Sequence, residues 1–285
     1  MFLVSGTKRS GTSMWMQAFV AANVEVIGQA FPKRWGDGAL REANPDGFYE
    51  SIYRDGVFFG TNPHPDTGEY VRPEATRDRV VKVFVPGVVR TELGFIGGVV
   101  ANVRRWRDYE ASVARLWALE DRQRATESPD EPAPPRLPGA LEWWAENFSL
   151  LRDHNQRGYP LVIQTYEQVL AQPERYVRRA LAAWCEHSGR SCDVEAAVAA
   201  IKPAARTQSV AQSEGVEPRI AQVFDDLYDA IERGITIDGA LLRTLVATQR
   251  ELYPQVTEFK VQRARRMVES GGPPPPAFLL AASMS

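Results

Sequence analysis

The sequence predicts an α/β fold of three layers, a central parallel sheet flanked by helices, with a helical C-terminal part. Three observations carry this expectation. An apolar run, a glycine-bounded basic loop and an apolar helical pattern follow one another without a break over residues 2–23. Short β-branched runs recur at 80–85 (VVKVFV), 99–103 (VVANV) and 161–165 (LVIQT), with the near-continuous hydrophobicity of strands covered on both faces. Segments of helical periodicity lie between and after them.

Taken in order, Phe2, Leu3 and Val4 read as a buried strand, Gly6 to Gly11 as a tight loop, and Thr12 onward as a helix. Val24 to Ile27 is a second short apolar stretch. Residues 28–47 turn polar around Pro32, Gly36, Asp37 and Gly38. The turn chemistry of Asn44-Pro45-Asp46-Gly47 then delivers Phe48-Tyr49-Glu50 at a defined place. The segment 60–73 is loop-like, with Pro63 and Pro65 about His64, suited to a lid or a pocket wall. After the 80–85 strand, residues 86–98 connect to the next. Arg104 closes that second strand, and Asp108 to Arg122 is expected as a helix carrying Tyr109, Val113, Leu116 and Trp117 on one face.

Residues 121–140 collect charges and five prolines, the composition of an exposed, mobile insertion. Helical spacing resumes with Leu141, Trp144, Phe148 and Leu151, and Gly158 and Pro160 end that helix before the LVIQT strand. Pro173 opens a further helix, with Tyr176, Ala180, Leu181 and Trp184 on its inner face and Gly189 as its stop. Helical pattern continues to about Met267. The expected organisation is one domain over 1–267 and a Pro-rich flexible tail over 268–285, without internal repeats.

A formal charge of −2 and a pI near 6.0 argue against a general nucleic-acid or membrane-surface role, which needs a basic excess. Any anion site must be local. Cys185 and Cys192 lack the spacing of a zinc site or a disulfide framework, so free thiols are expected. The chain opens directly on its first strand, and no run approaches the roughly 18 apolar residues of a membrane span. The expectation is a cytoplasmic protein without membrane insertion. No pattern sets the oligomeric state.

The loop has the spacing of a nucleotide-binding P-loop, Gly6-x4-Gly11-Thr12-Ser13, but lacks the lysine after the second glycine. Thr12 stands there instead. Cationic charge comes earlier, from Lys8 and Arg9, and the first N–H groups of the helix have no internal partner. A phosphate-like group is expected here, though not ATP with Mg²⁺. Two further segments point the same way: RRWRDYEAS, with Arg104 and Ser112 eight residues apart, and the strand-end phrase Tyr166-Glu167-Gln168-Val169-Leu170 followed by Pro173.

Together these segments resemble the PAPS-dependent sulfotransferases, over about residues 3–185. The resemblance implies a P-loop-like fold and transfer of a sulfuryl group from 3′-phosphoadenosine 5′-phosphosulfate to a hydroxyl or amine of a small-molecule or carbohydrate acceptor. Adenosine 3′,5′-bisphosphate is then the product. It implies that Lys8, Arg9, Ser10, Gly11, Thr12 and Ser13 bind the 5′-phosphosulfate, that Arg104 and Ser112 bind the 3′-phosphate, and that Tyr166 belongs to the cofactor site. Arg9 takes the place of the loop's catalytic cation. The sequence departs from the family at Arg105 and Trp106, and no Gly-rich C-terminal RKG phrase is recognisable; Arg206 is the nearest basic candidate there.

Sulfuryl transfer develops charge on the leaving phosphate, so preorganised N–H groups and a cation lower its barrier. A sulfuryl group carries less charge than a phosphoryl group, so no metal is expected. The acceptor must lose a proton, which calls for a base. Glu50 is the first choice because NPDGFYE resembles the NP-x-G-x-x-E phrase of many bacterial sulfotransferases. His64 is the second.

Each residue also has a plainer reading. The loop can be a tight turn, Arg104 a surface arginine and Ser112 a helix cap. Glu50 can serve a helix end or an ion pair, His64 an ordinary loop, and Tyr166 the core. Glu167 reads as an orienting partner. Trp143 and Trp144 read as core, and Arg105 and Arg107 as solvated. Two other functions compete: a P-loop kinase or other nucleotide-dependent phosphotransferase, and a non-catalytic nucleotide-binding protein of the same fold.

Overall fold

A computed structural model describes residues 1–30, 47, 49–128, 130, 133–202, 215–235 and 237–269. Its strands are β1 (Phe2–Gly6), β2 (Val26–Ile27), β3 (Gln29–Ala30), β4 (Tyr49–Glu50), β5 (Val80–Lys82), β6 (Gly98–Val103) and β7 (Leu161–Thr165). Five of them form a parallel sheet in the order β2-β5-β1-β6-β7, and β3 pairs antiparallel with β4 as a separate ribbon. The helices are α1 (Thr12–Ala21), α2 (Val85–Arg90), α3 (Trp106–Glu127), α4 (Gly139–Arg157), α5 (Tyr166–Ala171), α6 (Pro173–Ser188), α7 (Val194–Ala199), α8 (Pro218–Arg233) and α9 (Gly239–Glu269).

Alternation along β1 shows how the sheet is covered. Phe2 and Val4 enter one core with Trp15 and Phe19 of α1, Val177 and Trp184 of α6 and Ala197 of α7. Leu3 between them enters another, with Val85 and Val88 of α2 and Leu150 of α4. A strand with period-two side chains can do this only if helices lie on both faces. A third core joins α3, α4, α8 and α9 around Phe224, whose ring stacks on Trp144 at 4.9 Å and meets Trp106 edge-on at 5.7 Å. The inner face of α6 is as the periodicity predicts: Tyr176, Ala180, Leu181 and Trp184 are buried. Gly189 follows in the left-handed conformation, φ 71°.

Three boundaries differ from expectation. The 80–85 strand stops at Lys82, and α2 begins at Val85, because Pro86 suits a first helical turn where its missing N–H costs nothing. Helix α3 runs through Glu127, into the stretch expected as an insertion. Arg136 folds back across that stretch, pairing with Glu120 at 3.0 Å and Asp121 at 2.5 Å and lying over the Trp117 ring at 5.4 Å. At the C-terminus Val268 and Glu269, expected in the tail, end α9; the rest of the tail lies outside the described residues. Among the described residues no helix is long and apolar enough to cross a membrane.

Candidate functional site

Strands β5 and β6 follow one another in sequence but lie on opposite sides of β1. Connections therefore diverge at the carboxyl end of β1, the position where open parallel sheets receive ligands. The Gly6–Gly11 loop leaves the sheet there. Gly6 has φ 142°, and a Cβ on it would lie 2.4 Å from the Asn102 carbonyl oxygen and from Ser10 Oγ, so only glycine fits. Ser10 Oγ donates to the Thr7 carbonyl at 2.7 Å, and Asn102 Nδ2, fully buried on β6, donates to the Ser10 carbonyl at 3.2 Å. These bonds fix the loop. Arg9 holds the left-handed conformation at φ 68°, uncommon for a side chain of its size and the kind of backbone strain that concentrates at functional sites.

Gly11 caps α1 with φ 90° and without a side-chain capping bond. The first turn of α1 thus presents N–H groups without intrahelical partners at the loop, and Thr12 and Ser13 are buried beside them.

The three segments separated in sequence meet at this loop. Arg9 Nε donates to Ser112 Oγ at 3.2 Å, and Arg104 Nη1 donates to the Arg9 carbonyl at 3.1 Å. The Arg104 guanidinium lies over the Tyr166 ring, 5.2 Å from its centroid, and that ring abuts Gly11, where an added Cβ would approach it to 2.7 Å. Tyr166 is thus a contact of the loop rather than a core aromatic. Burial first, then the Arg104 guanidinium and to a lesser degree Arg115, push the Arg9 pKa down to about 10. Arg104 is 7% exposed, yet its buried Nε has no hydrogen-bond acceptor. Two guanidiniums and a buried hydroxyl, Ser112, assembled against a helix N-terminus suit a polyanion.

Glu50 is reached from the other side of β1. Lys82 stands beside Val4 in the sheet register and donates to Glu50 Oε1 at 2.6 Å, the two side chains 4% and 7% exposed. Burial lowers the Lys82 pKa, which the carboxylate partly offsets, and Arg9 is among the cations repelling it. The remaining oxygen, Glu50 Oε2, is buried without a hydrogen-bond partner. The Lys82 ammonium lies 5.2 Å from the Phe84 ring centroid and the Lys8 ammonium 5.9 Å, so one ring bridges the loop and the Glu50 pair.

Helix α4 adds a second carboxyl group. Glu146 is half-buried, and its Oε2 is wholly shielded and without a hydrogen-bond partner. Burial raises its pKa to about 8, with Glu142 one turn away pushing the same way and Lys8 and Lys260 opposing. Glu142 itself accepts from the Tyr109 hydroxyl at 2.9 Å.

The structure does not bring His64 into this group. Its Nδ1 accepts from the Asp66 and Thr67 N–H groups at 3.1 and 3.3 Å, and its backbone N–H donates to the Glu69 carbonyl, so His64 organises its own turn. Glu167 accepts from the Tyr228 hydroxyl at 2.7 Å, as an orienting partner would. Arg107 pairs with Asp225 at 2.9 Å, while Arg105 is exposed over the Tyr228 ring. Trp143 and Trp144 are fully buried. Arg206 and the Asn44–Asp46 part of the turn lie outside the described residues.

Sequence reasoning missed Lys82, Asn102 and Glu146. For the first two a signal existed: Lys in VVKVFV and Asn in VVANV interrupt apolar runs, and a polar side chain inside a buried strand needs a partner. Glu146 gave none, because a glutamate on an amphipathic helix reads as solvated. No protein-family model matches the chain, and no curated protein matches it either.

Proposed function

We propose that this protein is a PAPS-dependent sulfotransferase built on a P-loop-like α/β fold. One observation carries the reading: Arg9, Ser112, Arg104 and Tyr166, from three distant segments, converge on the loop between β1 and α1. The buried Arg104 Nε lacks an acceptor, and with the neighbouring Arg9 and Ser112 the residues present fit a nucleotide bearing phosphate at both ends.

In this reading Lys8, Arg9 and the N–H groups at the start of α1 hold the 5′-phosphosulfate. Arg104 and Ser112 hold the 3′-phosphate. The cofactor supplies an activated sulfuryl group when bound. Arg9, an always-charged fork, steadies negative charge on the phosphate side without serving as an acid. Glu50 takes the acceptor's proton at Oε2 while Lys82 orients it through Oε1. The acceptor is a hydroxyl- or amine-bearing small molecule or carbohydrate, and the setting is cytoplasmic.

The test is a thermal-shift comparison followed by turnover with labelled cofactor. Adenosine 3′,5′-bisphosphate should raise Tm in a concentration-dependent way and ATP should not. Arg104→Ala should lose that shift. Glu50→Gln should keep the shift and cut sulfuryl transfer by about 10²-fold or more. Stabilisation by ATP with Mg²⁺ instead, or no shift with the bisphosphate, would overturn the reading.

A further inference from the structure

Cys185 and Cys192, seven positions apart in the sequence, have their sulfurs 3.4 Å from one another. Cys185 belongs to the last turn of α6, where its carbonyl accepts the Gly189 N–H at 2.9 Å. Cys192 lies in the short connection to α7. That connection is anchored at both ends of Asp193: its N–H donates to the Ala22 carbonyl at 3.0 Å, and its Oδ1 accepts the Ala196 N–H at 3.0 Å to cap α7. Both thiols are half-buried against the core containing Trp184 and Val198. Two thiols on backbones tied this firmly, and already in contact, need only about 1.4 Å of closure to reach disulfide bonding distance.

We propose that Cys185 and Cys192 form a reversible dithiol–disulfide pair that exchanges with low-molecular-weight disulfides such as oxidised glutathione. The Cys185 thiolate attacks one sulfur of the small disulfide, whose S–S bond breaks and releases one thiol that carries away a proton. Cys192 then gives up its proton and attacks Cys185 Sγ, releasing the second small thiol. Two electrons pass from the protein to the reagent, and two small thiols appear for each protein disulfide formed. Burial, reinforced by the neighbouring Cys185, pushes the Cys192 thiol up to about 12.

The consequence is a change in stability rather than in the site. The disulfide would staple the end of α6 to the start of α7, and both helices pack on α1 through a shared core. His187, two residues beyond Cys185, faces Phe2 at 6.1 Å, at the end of β1 opposite the Gly6–Gly11 loop. A crosslink here restrains the unfolded chain without touching the anion cluster.

The test equilibrates the full chain in glutathione redox buffers, quenches with acid, and reads free thiols, intact mass and Tm. The expected result is joint loss of both thiols in a monomer, a mass lower by two hydrogens, and a Tm raised by several degrees, all reversed by dithiothreitol. Cys192→Ser should instead carry one glutathione adduct at Cys185 with no rise in Tm, which also shows that Cys185 is reachable. Glutathione adducts accumulating on the unsubstituted protein, disulfide-linked dimers, thiols that stay free while the Cys192→Ser adduct forms, or a Tm that does not rise would each overturn the proposal. None of these readouts depends on the sulfotransferase reading.

Discussion

Gly11 and Tyr166 bring two site segments into close approach, and they can be tested as a pair. An alanine at position 11 would take φ 90° and push its Cβ to 2.7 Å from the Tyr166 ring. The backbone strain alone is ~1–3 kcal/mol, and the ring must also move from beneath Arg104. Gly11→Ala should therefore lower stability and lose the bisphosphate-induced Tm shift. Adding Tyr166→Ala removes the clash but not the strain, so the double variant should be more stable than the sum of the singles predicts. Urea unfolding of the four proteins reads that coupling; strict additivity would mean the ring and the glycine do not meet. Lys82 and Glu50 show the other residue-scale feature, a buried ion pair whose value lies in holding one carboxylate oxygen and leaving its twin without a partner. Motif matching supplies Glu50 through NPDGFYE, whereas its pairing with Lys82 becomes visible only once the sheet is assembled.

Helix α4 carries a carboxyl group shifted far from its ordinary value. Glu146 titrates at about 8 in the folded protein against an ordinary value of 4.5, chiefly because burial disfavours its charged form. Its folded pKa is raised, so its stabilising contribution is complete below the unfolded value and lost as pH rises through about 8. Glu146→Gln keeps the shape and removes the titration. Measured by urea unfolding, the variant should gain stability relative to the parent between pH 5 and 9, with the difference flattening at higher pH. A constant difference across that range would show that Glu146 is solvated. Elements whose character depends on local pattern were legible: LVIQT is β7 to the residue, and Pro173 to Gly189 brackets α6. What was not legible depends on distant partners. The last turns of α3 rest on Arg136 reaching back to Glu120 and Asp121, and charge composition alone makes that stretch look disordered. The same holds at the site, where Arg104, Ser112 and the loop were readable as motifs but Asn102, Lys82 and Glu146 acquire meaning only from what packs beside them.

At the scale of the molecule, one indole ties the third core to the Arg9–Arg104 cluster. Trp143 and Trp144 are adjacent, both fully buried, and each indole N–H has a single well-placed acceptor. Trp144 Nε1 donates to Gln249 on α9 at 2.9 Å, a bond internal to the helical part. Trp143 Nε1 donates to the Arg104 carbonyl at 2.7 Å, tying the backbone that presents the Arg104 guanidinium to the core around Phe224. Replacing either by phenylalanine removes one hydrogen bond and part of a ring, so each should cost ~1–3 kcal/mol of unfolding free energy. Their effects on ligand binding should differ. Trp143→Phe frees the carbonyl of Arg104 and should weaken adenosine 3′,5′-bisphosphate several-fold, whereas Trp144→Phe, with a similar stability loss, should leave its affinity close to the parent's. Titration calorimetry at a temperature well below both melting points separates the two. Equal affinities in the two variants would show that the helical core supports the chain without setting the position of Arg104.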